Sequence, residues 1–145
     1  MIRILCVGKI KEKYLNDLIN DYKTRITKYH KIEIIELKDT NIDNESNEIL
    51  GSLNEKDFNI CMDINGKEYT SVELSNLIDN TFTNGYGTIT FIIGGSDGIN
   101  QYVKNKCNLR LSFSKLTFPH GLFRGILLEQ IYRSFKILNN ESYHK

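Results

Sequence analysis

Apolar positions in this chain alternate between short β-branched runs and longer stretches with helical spacing. Ile2 to Val7 reads as a first strand, ended by Gly8. From Tyr14 to Tyr29, the positions Leu15, Leu18, Ile19, Tyr22, Ile26 and Tyr29 recur every three or four residues, which predicts an amphipathic helix covering a sheet. Lys31 to Leu37 alternates in period two and makes a second strand. Lys38 to Asn47 is polar and Asn-rich and reads as a flexible segment, followed by a short helix through Ile49, Leu50 and Leu53. Phe58 to Ile64 is a third strand that Asn65-Gly66 should end in a turn. Thr70 and Glu73 have the capping-box spacing, opening a helix with Val72, Leu74, Leu77 and Ile78 on its apolar face.

The second half repeats the alternation with sharper punctuation. Thr88 to Ile93 is a buried strand running into Gly94, Gly95 and Gly98. Ile99, Val103 and Cys107 mark a short helix, Leu109 to Phe113 a fifth strand, and Pro119 begins a helix that lasts to Leu138. That helix is apolar over more than one face, which suits simultaneous packing on the sheet and on another subunit. Strands alternating with helices predict an α/β domain with a mainly parallel sheet, one domain over residues 1–145.

Composition narrows the setting. No run of about 18 apolar residues occurs and the amino terminus lacks a signal-peptide pattern, so a cytoplasmic protein is expected. Cys6, Cys61 and Cys107 are scattered on apolar segments, as buried reduced thiols would be, and no metal-ligand spacing is present. The net charge of +1 conceals an imbalance: residues 100–145 hold eight Lys and Arg against Glu129 and Glu141, a net +6, leaving −5 on the first 99. A basic carboxyl-terminal third fits an anionic partner, and equally a solvated helix surface.

Three stretches could carry chemistry. A strand that stops in glycines is where α/β proteins commonly bind small molecules. Gly94-Gly95-Ser96-Asp97-Gly98 also matches the nucleophile elbow G-x-S-x-G, which would make Ser96 a nucleophile with His120 or His144 as its base. Packing alone would equally require such a turn. Leu111 to His120 sets Leu111, Phe113, Leu116 and Phe118 among small hydroxyl residues, a composition able to wall an aromatic or adenine-like ligand. Tyr143-His144-Lys145 ends the chain with a phenol, an imidazole and a cation; folded back over the glycine turn, it would supply a general base and phosphate contacts.

The segments FIIGGSDG, LSFSKLTFPH, LLEQIYRSFKILN and ESYHK, with the opening ILCVGKIKEKYL, resemble the ribosomal RNA large subunit methyltransferase H family. These are small SPOUT-class enzymes that methylate N3 of a pseudouridine in 23S ribosomal RNA, and the resemblance spans essentially the whole chain. It implies an α/β knot with a trefoil knot in roughly residues 88–145, S-adenosyl-L-methionine as donor with S-adenosyl-L-homocysteine as product, no metal, a homodimer, and action on the assembled ribosome. By position it implies a cofactor pocket of Met62, Gly94, Phe113, Ser114, Lys115, Leu116, Thr117 and Phe118. His120, Arg124, Tyr143 and His144 match the substrate-facing catalytic positions, with His144 as base, and Arg133 and Lys145 would bind substrate. The chain departs from the pattern in its short polar segment, in Gly121 and Gly125, and in Ser142 where proline is common.

Overall fold

A computed structural model describes residues 1–145. The alternation along the first strand, β1 (Ile2–Val7), fixes the layering: Ile2, Ile4 and Cys6 join one apolar cluster and Leu5 and Val7 another, on opposite faces of the sheet. The larger cluster is covered by α1 (Lys13–Ile26), α3 (Ser71–Thr83) and α5 (His120–Leu138). The smaller is covered by α2 (Ile42–Ser52) and α4 (Gln101–Lys106). Between them lies a five-stranded sheet, order β2-β1-β4-β3-β5, in which every pairing is parallel. Its other strands are β2 (Ile32–Leu37), β3 (Phe58–Glu68), β4 (Ile89–Ile93) and β5 (Leu109–Ser112). All five residues of β4 are buried, as a central parallel strand with helices on both faces requires.

Two expectations are corrected. The polar segment is not flexible throughout: Asn41 caps α2 by accepting from the Asn44 N–H at 2.9 Å, so the helix begins inside that segment. Its Asn and Asp residues act as helix-start signals, and Asp43 and Glu45 lie in the first turn, where the helix dipole favours them. Glu45 is itself buried and accepts the Thr40 N–H at 2.8 Å.

The second correction concerns Asn65-Gly66. No hairpin forms there; β3 continues to Glu68 alongside β5. Met62 and Lys67 both register with Leu111, so residues 63–66 form a bulge between two paired segments. Gly66 is obligatory because a Cβ there would lie 2.6 Å from the Arg110 carbonyl carbon and 2.8 Å from the Leu111 nitrogen.

The capping box forms as the spacing predicts, with Thr70 Oγ1 accepting from Glu73 N–H at 3.1 Å and Glu73 Oε1 from Thr70 N–H at 2.8 Å. Pro119 is the N-cap of α5, one position before the first helical residue. Gly121 and Gly125 sit where α5 meets α1: a Cβ at either would approach Leu15 or Leu18 to 2.7 Å. Their lack of side chains lets the two helices pack closely.

Candidate functional site

The carboxyl ends of β3, β4 and β5 and the loop after β5 enclose a cavity of about 550 Å³, within the range of small-molecule sites. The β3 bulge contributes Asp63, Ile64 and Asn65, and the glycine turn contributes Gly94 to Gly98. The loop contributes Phe113, Ser114, Leu116, Thr117 and Phe118, with His120 at the start of α5. Of the expected pocket residues, Met62, Gly94, Phe113, Ser114, Leu116, Thr117 and Phe118 line this one cavity. Lys115 belongs to the loop but is exposed and does not line it.

The loop is held by side chains. Ser112 Oγ, buried, donates to the carbonyls of Ile64 or Ser114, each at 3.1 Å, and Ser114 Oγ accepts the Leu116 N–H at 3.0 Å. Phe123 of α5 lies against both Phe113 and Phe118, with ring centroids 5.6 and 6.1 Å away. No backbone–backbone hydrogen bond ties residues 113–118, so, apart from the Leu116 N–H and the Ser114 carbonyl held by side chains, their N–H and C=O groups are free to read the polar edge of a flat ligand. Lys104 and Asp63, paired at 3.2 Å, add charge to the cavity wall, and neither was marked by the sequence.

The glycine turn owes its composition to packing. A Cβ on Gly94 would meet Ile99 at 2.6 Å and the Gly98 carbonyl oxygen at 2.7 Å; one on Gly95 would meet Glu45 Oε1 at 2.6 Å and Val7 at 3.2 Å. Gly98 has a positive φ of 81°. Ser96 does not adopt the left-handed backbone, and α4 begins only at Gln101 behind its N-cap Asn100, so the strained strand-to-helix elbow of a hydrolase is not formed.

The carboxyl-terminal tail does not fold over its own glycine turn. Tyr143 packs edge-on against Tyr132 at 5.0 Å and stacks beneath the Arg133 guanidinium at 4.8 Å. Burial and a hydrogen bond with Tyr22 push the Tyr143 phenol up to about 12, so it stays protonated at neutral pH. Arg133 Nη1 lies 3.1 Å from His144 Nδ1, and Arg133 is anchored by Glu129 through contacts of 2.7 and 2.8 Å. Arg133 lies 13 residues beyond His120 on α5, so this cluster and the cavity are about 20 Å apart along the helix. Lys145 is exposed at the end of the same tail.

Arg124 is not brought to the cavity. It is 4% exposed, pairs with Glu36 at 2.7 Å and donates to the Gly8 carbonyl at 3.1 Å, tying α5 to the ends of β1 and β2. The cysteines are free thiols, as expected. Burial pushes Cys6 up to about 11, and a hydrogen bond to Cys107 leads the factors raising Cys61. The same bond lowers Cys107, which is only half-buried. Mild alkylation of the native protein is therefore expected to modify Cys107 first, as peptide mass mapping would show.

The family model described as "Predicted SPOUT methyltransferase" matches residues 1–144. A protein from Clostridium botulinum strain Hall named "Ribosomal RNA large subunit methyltransferase H" is 48% identical over 157 aligned positions, covering 99% of both chains. Among solved structures, a probable methylase family protein from Haemophilus influenzae Rd KW20 superposes with a TM-score of 0.60 at 11% identity, over 99% of this chain and 70% of that one. The SpoU methyltransferase AviRb from Streptomyces viridochromogenes, solved in complex with AdoMet, does so with a TM-score of 0.51 at 9% identity, over 92% and 57%. At these identities the structural matches speak for the fold.

Proposed function

The chain belongs to the SPOUT methyltransferase family, and from that membership we propose that it methylates N3 of a pseudouridine in 23S ribosomal RNA, using S-adenosyl-L-methionine. The supporting observation is the convergence of Met62, Gly94 and the 113–118 loop on one cavity. Its chemistry fits the cofactor. Phenylalanine and leucine side chains offer apolar faces for a purine, the loop backbone groups left without partners can meet its edge, and the Asp63–Lys104 pair offers charge to the polar remainder. When bound, the sulfonium supplies an electrophilic methyl group.

The protein's own part is to hold the target base in line and to stabilise the charge left when N3 loses its proton. His120 stands at the cavity, whereas His144, Tyr143 and Lys145 stand about 20 Å away on the same helix and its tail. A homodimer resolves that separation, because a second copy can present its tail to the first copy's cavity. Arg124 serves this arrangement by fixing the start of α5 on β1 and β2. The reading includes one domain over residues 1–145 knotted in roughly 88–145, a cytoplasmic setting, and the assembled ribosome as substrate.

Titration calorimetry with S-adenosylmethionine tests the pocket. Binding is expected, and ribosome binding without cofactor affinity would instead indicate a non-catalytic ribosome-associated protein. Comparison of intact ribosomes, separate subunits and free rRNA as methyl acceptors tests the partner, with free rRNA expected to be the poorest. The affinity for any of them should fall with salt.

A further inference from the structure

We propose that His144 acts on the target base as a hydrogen-bond donor through Nε2 and not as a general base, and that Arg133, anchored by Glu129, is the positioning residue that imposes this role. The inference rests on the reading above that the tail faces the substrate.

The geometry restricts the protonation of the ring. A guanidinium has only donors, so the 3.1 Å contact from Arg133 Nη1 requires His144 Nδ1 to be the acceptor. The neutral ring then carries its proton on Nε2, and its lone pair is occupied by Arg133. The edge of the imidazole left to face a ligand has a donor and no free acceptor. Glu129 holds the guanidinium from the preceding turn of α5, and Tyr143 covers its face, so Arg133 has little freedom to release Nδ1.

The chemistry of the acceptor suits a donor. The N3–H of a pseudouridine is an imide between two ring carbonyls. When its proton leaves to water, the electron pair spreads from nitrogen onto both carbonyl oxygens. His144 Nε2–H donates to one of those oxygens, strengthening its bond as negative charge develops there. No proton is taken by the protein, so none has to be returned between turnovers.

The test uses full-length variants, methyl transfer to ribosomes, and heteronuclear NMR of ¹⁵N-histidine-labelled protein. His144→Ala should lower kcat/KM by about 100-fold, as loss of one charge-stabilising donor does. His144→Gln places an amide N–H near the position of Nε2 but cannot act as a base; it should recover at least about tenfold of that loss. In the His144→Ala background, Arg133→Met should add little further loss, because Arg133 acts through His144. NMR should show His144 with Nε2 protonated and Nδ1 bare, and Arg133→Met and Glu129→Gln should admit the other tautomer. A His144→Gln enzyme as slow as His144→Ala, additive losses, or a proton on Nδ1 would each overturn the inference. If wild-type protein forms no N3-methylpseudouridine, the underlying functional reading fails instead. The NMR result needs no substrate and still decides the Arg133–His144 arrangement.

Discussion

Gly66→Ala is expected to lower the unfolding free energy by about 3 kcal/mol and to weaken cofactor binding at the same time. The added methyl would fall 2.6 Å from the Arg110 carbonyl carbon, 2.7 Å from its oxygen and 2.8 Å from the Leu111 nitrogen. All three are backbone atoms of β5 or its ladder, so no side-chain rotation relieves the contact. Either β5 moves outward or the 63–66 bulge is rebuilt. Both alternatives disturb the cavity, since Asp63, Ile64 and Asn65 line it and Ser112 holds the bulge through the Ile64 carbonyl. Urea denaturation at fixed protein concentration and calorimetry with S-adenosylmethionine would measure the two effects. Unchanged stability would show that β5 is not fixed at this point.

Removing Glu36 is expected to cost more than removing Arg124, although the two form one ion pair. The exposures of the partners are unequal: the Arg124 side chain is 4% exposed and that of Glu36 is 39%. Glu36→Ala leaves a guanidinium buried without a counter-charge, with its Nε already lacking a partner, and should destabilise by about 3 kcal/mol. Arg124→Met leaves a carboxylate that water can reach and replaces the buried stem with one of similar bulk. Its cost should be about 1 kcal/mol, chiefly the lost partner of the Gly8 carbonyl. Combining Arg124→Met with Glu36→Ala should recover most of the Glu36→Ala loss, a coupling that a double-mutant cycle in urea would expose. Equal single losses with no coupling would remove the pair from the account of α5.

Periodicity and the Thr70–Glu73 box give the number and order of strands and helices, though not the start of α2 or the end of β3, because they report burial and local capping more than long-range partners. Asn65-Gly66 differs for the opposite reason: the pair suits a tight turn locally, while its use here is set by β5, some 44 residues later. The Asn-rich stretch that contains the start of α2 is ambiguous because asparagine favours loops and helix caps alike.

The site divided in the same way. The loop from Phe113 to Phe118 was legible as a ligand wall from its aromatic and hydroxyl composition, and the structure places most of it on the cavity. Lys104 and Asp63 were not legible, being an ordinary lysine and aspartate until α4 and β3 bring them together. Glu129 and Arg133 stand four apart on α5, a helix-surface pair by spacing. Their bearing on His144 depends on the tail turning back at Asn140, whose φ is 54°. Arg124 was marked by resemblance as substrate-facing, and its burial against Glu36 and Gly8 was invisible without the tertiary structure.

The most direct measurement is transfer of labelled methyl groups from S-adenosylmethionine to intact ribosomes, followed by digestion of the large-subunit rRNA and nucleoside analysis. A single labelled nucleoside, N3-methylpseudouridine, is expected. Label in any other nucleoside, or none in the rRNA of a protein that binds the cofactor, would contradict it.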